Sequence, residues 1–306
     1  MSITQTNILL ETGTNELELL EFTIAGKSFG INVAKVLELM QSQPPQSVPH
    51  SHPCVEGIFQ PRQDVYTIID LAKYLELPAA ENPDKDLYII TNFNKICLAF
   101  HVHTVENIHR ISWHAIEKLD EVVYGGGEGV VTGVVKIEGR IISILDFEKI
   151  TYDVSPVTGI QFTDIPESLN RSAANMPILV SEDSALLRKM ILETLHNAGY
   201  TKVVLTTNGS EAWRYLCDIK EHGGDVFSEV SCVITDIEMP QMDGHHLTKL
   251  IKSDPQLSRL PVVIFSSLIN EEMRIKGMEV GADAQLSKPE IGKLLQELER
   301  LMPNAF

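Results

Sequence analysis

The sequence predicts two domains of different class: a mostly-β domain of the small-barrel kind over residues 16–155, and a doubly wound α/β domain with a five-stranded parallel sheet over residues 176–306. Three observations carry this expectation. At 306 residues the chain exceeds the length that one core usually serves. Its apolar runs before residue 150 are short, β-branched and separated by turn signals, whereas those after Met176 alternate with helical periods. Between the two patterns, residues 156–175 hold Pro156, Pro166, Ser168 and Ser172 with little periodicity, as a linker does. Residues 1–15 precede the first strand signal as a tail.

In the first half, strands are expected at 22–24, 29–33, 65–69, 87–90, 96–101, 130–137 and 141–145. Turn signals separate them: Ala25-Gly26-Lys27, Gln43-Pro44-Pro45, Asn92-Phe93-Asn94 and Glu138-Gly139-Arg140. One helix is expected at 113–119, with Ser112 as its cap and Glu117 at capping-box-like distance. In the second half, strands at 178–180, 203–205, 230–235, 262–265 and 284–286 alternate with helices at 184–197, 211–221, 243–253, 271–278 and 289–301. Pro289 falls in the first turn of the last helix, where its missing N–H costs nothing. Strict alternation means a parallel sheet with helices on both faces, and such sheets bind ligands at the carboxyl ends of their strands.

Composition narrows the function. Lys plus Arg is 25 against 42 for Asp plus Glu, a net charge of −17. Residues 1–175 carry 12 basic and 23 acidic groups and residues 176–306 carry 13 and 19, so neither half is basic. Such a chain repels nucleic-acid backbones and anionic membrane surfaces. Cys54, Cys97, Cys217 and Cys232 form no CxxC pair, which argues against a disulfide framework or a zinc knuckle and fits a reducing compartment. The first basic residue is Lys27, and no apolar run approaches the length of a membrane helix. The expectation is a soluble, cytoplasmic protein.

The chemistry-bearing residues fall at strand ends. Glu182-Asp183 follows the first strand of the α/β domain, Asp236 ends the third, Ser266 the fourth and Lys288 the fifth. All these ends open on one edge of the sheet. Carboxylates gathered there repel unless a hard cation joins them, and Mg²⁺, with oxygen ligands and retained waters, suits the need. Lys288 supplies further positive charge.

The stretch 233–244, Val-Ile-Thr-Asp-Ile-Glu-Met-Pro-Gln-Met-Asp-Gly, resembles the phosphoacceptor segment of response-regulator receiver domains, which have a flavodoxin-like fold. Ser266 lies 30 residues after Asp236, Lys288 lies 22 further on, and the Lys288-Pro289 dipeptide also matches. The resemblance implies that Asp236 accepts a phosphoryl group from a histidine kinase. It implies Asp183 and Asp236 as carboxylate ligands of Mg²⁺, the Glu238 backbone carbonyl as a third, and Glu182 reaching the metal through water. Ser266 and Lys288 would each meet a phosphoryl oxygen. One position departs from the family: receivers usually carry Tyr or Phe three residues before the lysine, and here it is Gln285.

The first domain resembles CheW-type coupling domains, built from SH3-like small barrels, over 22–36, 57–70 and 133–147. Where that family often shows an Asn-Leu-Arg-Gly turn, this chain has Gln60-Pro61-Arg62-Gln63, and the resemblance implies a contact role for Arg62. A CheW-type domain followed by a receiver is similar to the arrangement of the CheV family of chemotaxis scaffolds. That likeness implies a cytoplasmic adaptor, recruited to membrane receptor arrays, that couples chemoreceptors to the histidine kinase CheA. Phosphorylation of the receiver would modulate coupling, with no turnover of an external substrate.

Two other readings stay open at this point. A phosphatase of the haloacid-dehalogenase type also places an Asp nucleophile and Mg²⁺ on a doubly wound sheet, but needs an Asp two residues later, where this chain has Glu238. A receiver can also govern another output, such as transcription, although the acidic, strand-rich partner domain weighs against it. Among motifs, the pairs His50/His52 and His101/His103 lack ligand-spaced Cys or acidic neighbours and are expected to be ordinary histidines. His245-His246 is expected to open a helix, and Gly125 to Gly129 to form a loop that fits no phosphate-binding pattern.

Overall fold

The computed structural model describes residues 15–93, 96–119, 129–155, 176–268, 271–288 and 290–302. The expected linker, most of the tail and of the glycine loop, and Pro289 lie outside the described residues. Internal contacts group the chain into two compact units, one over residues 17–159 and the other over residues 160–306, with Asn15 and Glu16 grouped with the second.

The first unit contains β1 (Glu16–Ile24), β2 (Lys27–Asn32), β3 (Val36–Gln41), β4 (Val55–Phe59), β5 (Tyr66–Asp70), β6 (Leu87–Phe93), β7 (Ile96–Val102), β8 (Thr104–Ser112), β9 (Val131–Ile137) and β10 (Arg140–Leu145). Two helices, α1 (Leu71–Tyr74) and α2 (Phe147–Val154), join them. One sheet runs β8-β1-β2-β10-β9 and the other β3-β6-β7-β5-β4. The β1–β2 hairpin turns through Ala25 and Gly26, both at positive φ (50° and 72°), the geometry that matches strand twist.

Strand alternation explains the packing. On β1, Leu17 and Leu19 point into a core with Trp113, Ile116, Val135 and Ile142, while Leu20, Phe22 and Ile24 point the other way. That second face meets Phe29, Phe100, Phe147 and Ile150 in the largest core of the unit. Phe100 and Phe147 meet edge to face with centroids 4.7 Å apart, and burying each such ring contributes about 1.5–3 kcal/mol. The second sheet closes on Phe59, Tyr66, Ile68, Tyr88 and Ile90.

One expected element is different. Residues 113–119 do not form an α-helix: only Trp113–Ala115 wind, as a 3₁₀ turn, with the Ser112 hydroxyl accepting from His114 N–H. Glu117 instead pairs with Val134 in both directions at 2.8 Å. Burial of Trp113 and Ile116 in the core beneath β9 favours the extended pairing over another helical turn. In this unit the strands β3, β4 and β8 and the helices α1 and α2 are additions to the elements expected from sequence.

His101, on β7, is partly buried and outside any metal-type cluster among the described residues, but acidic partners reach it from elsewhere in the unit. Its Nδ1 lies 2.9 Å from Glu56 on β4 and its Nε2 lies 3.1 Å from Asp86 ahead of β6. Burial pushes the imidazole pKa down, but the Glu56 hydrogen bond and the charges of Glu56, Asp86 and Asp70 outweigh it, so the net direction is up. Burial also lifts the Asp86 pKa, against the pull of the same imidazole. A raised histidine stabilises the fold fully below its unfolded value of 6.5 and loses that contribution as pH rises through the folded value. The unfolding midpoint of this unit, followed by Trp113 fluorescence in a Trp213→Phe background, should therefore fall as pH climbs above about 6.5. His101→Gln should remove that slope; an unchanged slope in the variant would show that the network is not its source.

The second unit contains β11 (Ile178–Ser181), β12 (Val203–Thr206), β13 (Cys232–Thr235), β14 (Val262–Ser266) and β15 (Ala284–Ser287). Its helices are α3 (Ala185–Asn197), α4 (Gly209–Glu221), α5 (Val226–Glu229), α6 (Gly244–Ser253), α7 (Glu271–Glu279) and α8 (Ile291–Leu301). The sheet is wholly parallel in the order β12-β11-β13-β14-β15. β11, β13 and β14 are buried along their whole length, which is why they read as continuous apolar runs. One face packs under α3 and α8 through Ile191, Leu195, Leu294 and Leu298. The other packs under α4 and α6 through Leu216, Leu247 and Ile251. Among the described residues, no helix is long and apolar enough to cross a membrane.

Candidate functional site

Backbone hydrogen bonds carry the parallel ladder one residue past the strands and set the acidic groups side by side. Asp236 N–H donates to Ser181 O at 2.9 Å and Glu182 N–H to Thr206 O at 3.1 Å. Lys288 N–H donates to Ser266 O at 3.2 Å, which brings the lysine to the end of β14. Carboxylate oxygens of Glu182, Asp183 and Asp236 can all lie within 4.8 Å of one another.

Lys288 closes this cluster. Its Nζ lies 2.9 Å from Asp236 Oδ2 and 3.1 Å from Glu182 Oε2. These three side chains are 1–4% exposed, so two carboxylates share one ammonium away from water. Asp236 Oδ1 accepts from Ile237 N–H at 2.6 Å and Glu182 Oε1 from Ser184 N–H at 3.2 Å. Even so, negative charge exceeds positive, and half-buried Asp183 adds to the excess. Buried charge is costly without compensation. An all-oxygen donor set of this kind fits a hard cation such as Mg²⁺ and offers nothing to a soft one.

The other site residues fall around this centre. Ser266 is fully buried at the end of β14, and its hydroxyl oxygen accepts from Leu268 N–H at 3.2 Å, which leaves its own hydrogen to donate. Glu238, two residues beyond Asp236, is buried. Arg62 belongs to the first unit, where its side chain is 77% exposed and its Nη2 lies 3.5 Å from Glu38 Oε2. Exposed Leu37 and Val65 neighbour this pair in sequence, and Gln60 Nε2 donates to Gln63 O across the turn.

Two supporting residues escaped the sequence reading. Arg188 donates from Nη1 to the carbonyls of Glu182 (2.7 Å) and Asp183 (3.2 Å), holding the acidic pair by its backbone. Its signal was an arginine one turn into the helix that Ser184 caps. Gly244 opens α6 so close to the acceptor that a Cβ there would stand 1.9 Å from Asp236 O. Its N–H donates to Ile237 O at 2.9 Å, tying the loop shut. The histidines after it sit in the first turn of α6, as expected.

Comparison with known proteins agrees with this geometry. Residues 18–155 match the CheW-like domain family, and residues 178–299 match the response regulator receiver domain family. The chemotaxis protein CheV3 of Helicobacter pylori is 28% identical over 314 aligned residues, spanning 94% of this chain and 95% of that one. The chain joins a CheW-like domain to a receiver domain and is similar to CheV proteins over nearly its whole length. CheV2 of the same organism is 26% identical over the same shares of both chains. The CheY1 protein of H. pylori is 30% identical over 122 residues, covering 40% of this chain and 92% of its own length. A CheW-like β domain followed by a phosphorylatable receiver, in a chain similar to CheV proteins over 94% of its length, makes this a chemotaxis signalling protein with the character of a scaffold.

Proposed function

We propose that this chain is an adaptor that couples chemoreceptors to the histidine kinase CheA through its CheW-like domain, with Asp236 of the receiver as the phosphoacceptor that modulates coupling. One observation carries the reading above all: Asp236, Glu182 and Lys288 form a buried, charge-imbalanced cluster at the carboxyl edge of the sheet. An Asp236 carboxylate oxygen attacks the phosphorus of the donor, a phosphohistidine or acetyl phosphate. The bond from phosphorus to the donor breaks, and an acyl phosphate remains on Asp236.

Lys288 and Ser266 act on the transferred group. The lysine, already bonded to Asp236 Oδ2, moves with its charge toward a phosphoryl oxygen, and the Ser266 hydrogen is free to donate to another. Asp183, Asp236 and the Glu238 backbone carbonyl would hold Mg²⁺, with Glu182 acting through water. When bound, the cation neutralises charge on the phosphoryl oxygens. Arg188 keeps the Glu182–Asp183 segment in place while that charge develops. The protein works in the cytoplasm, recruited to receptor arrays at the membrane.

Two measurements test this. Acetyl phosphate with Mg²⁺ should label the full-length protein on Asp236, and labelling elsewhere would overturn the acceptor assignment. In a pull-down against kinase and chemoreceptor fragments, Arg62→Glu should weaken capture roughly tenfold or more, as charge inversion at a contact does. The turn presents a guanidinium beside exposed apolar residues, a composition suited to docking. Wild-type capture by the variant would remove this turn from the contact surface.

A further inference from the structure

Helix α7 is attached to its domain in an unusual way. Of its nine residues only Gly277 is buried, and its two large apolar side chains other than Met273, Ile275 and Met278, are 47% and 69% exposed. No apolar stripe holds it down. Its carbonyls do so instead. Gln285 Nε2 on β15 donates to Arg274 O at 2.9 Å. His245, buried in the first turn of α6, faces the backbone of Met273, the neighbouring residue.

The Gln285 amide also has a fitted seat. A Cβ placed on Gly277 would stand 2.2 Å from Gln285 Oε1, 2.4 Å from Cδ and 2.7 Å from Nε2, so the amide lies flat against bare backbone. Glycine in the middle of a helix costs stability relative to alanine, and here that cost makes room for the amide. The fit is incomplete: Gln285 Oε1 and His245 Nε2 are buried with no hydrogen-bond partner among the described residues. A neutral hydrogen bond adds little net stability, while a buried acceptor without a partner costs at least as much. The attachment is close to balanced.

We propose that Gln285, seated on Gly277, is a latch that holds α7 to β15 in the unphosphorylated receiver, and that its release reports the state of the acceptor site. The part concerning release rests on Asp236 being the phosphoacceptor. Both strands that frame the latch carry a site residue within three positions. Gln285 pairs with Ile264 and lies three residues before Lys288, and Ser266 ends the neighbouring strand five residues before α7 begins. When Ser266 and Lys288 turn to a phosphoryl group, the chain on either side of the latch is pulled toward the site. Freed from Gly277, Gln285 Oε1 gains water as a partner, which favours the open form once that pull begins.

Hydrogen exchange on the full-length protein tests the latch without phosphorylation. Gln285→Leu keeps the volume but removes the donor, and amides of residues 275–279 should exchange roughly three- to tenfold faster, the loss of one neutral hydrogen bond. Gly277→Ala should do the same, because the new methyl evicts the amide. In a Gln285→Ala background the eviction has nothing to act on, so Gly277→Ala should slow exchange there through its better helix propensity. That reversal of sign is the signature of the socket. Additive effects, or a Gly277→Ala protein that exchanges like wild type, would overturn the latch, with α8 amides as the control for a folded domain. Beryllofluoride with Mg²⁺ then tests release. Protection at residues 182–183 and 236 with faster exchange in α7 supports it, and the same protection with unchanged α7 overturns it. No protection at the acidic residues would instead refute the receiver reading, leaving the sign reversal to decide the latch alone.

Discussion

Asp236→Asn is expected to end phosphoryl uptake while leaving the receiver folded. The amide is a far weaker nucleophile than the carboxylate, and no neighbouring acid takes its place at the end of β13. Glu182 is bonded to Lys288 and to Ser184 N–H, and Asp183 lies across the cluster on β11's loop. Folding should survive because the substitution lowers the charge imbalance: Lys288 keeps Glu182 as its partner, and one of two buried anions disappears. With acetyl phosphate and Mg²⁺, the wild type should carry close to one phosphoryl group per chain and the variant none. Stoichiometric, persistent labelling of a folded Asp236→Asn protein would sink the acceptor assignment.

The gathering of these residues at one sheet edge was legible in the sequence for a physical reason. Parallel strands buried on both faces are unbroken apolar runs, so the first polar residue after each run marks the carboxyl edge. Asp183, Asp236, Ser266 and Lys288 are such residues or stand next to them, and all reach that edge. The supports behind them were less visible. Arg188 acts on backbone carbonyls and Gly244 by lacking a side chain, and neither role has a pattern of its own. Gln285 could be seen as a departure, but the seat it finds on Gly277 depends on how α7 crosses β15.

The first unit was read less completely. β1, β2, β9 and β10 alternate around two cores and announce themselves by β-branched residues. β8 is mostly exposed, and its polar run from Thr104 to Ser112 gives little strand signal, so only pairing with β1 reveals it. On α2, Phe147, Ile150, Thr151 and Val154 do follow a helical period, but the run begins directly after β10 and spans two turns. Asp146 marks the boundary by accepting from Glu148 and Lys149 N–H. His101 looked ordinary because Glu56 and Asp86 lie 45 and 15 residues away in sequence.

Lys288→Met should produce the largest loss of stability in the receiver. The lysine is fully buried, so methionine preserves most of its volume and removes its charge. Glu182 and Asp236 are then left facing each other with 1% and 4% exposure and no cation between them. Removing one member of a buried charged group typically costs about 3–5 kcal/mol, because the remaining charges lose compensation without regaining water. Trp213 on α4 reports this unit once Trp113 is replaced by Phe, and chemical denaturation in EDTA should show the deficit. Two further measurements identify its cause. Adding Glu182→Gln should restore part of the stability, since one stranded anion is gone. Mg²⁺ should restore part as well, by about 2.7 kcal/mol at a hundredfold excess over its dissociation constant. It should also stabilise Lys288→Met more than wild type, because the cation meets a larger excess of negative charge. If Lys288→Met unfolds in EDTA at the wild-type midpoint, the lysine is not compensating the acidic pair, and its role is confined to the phosphoryl group.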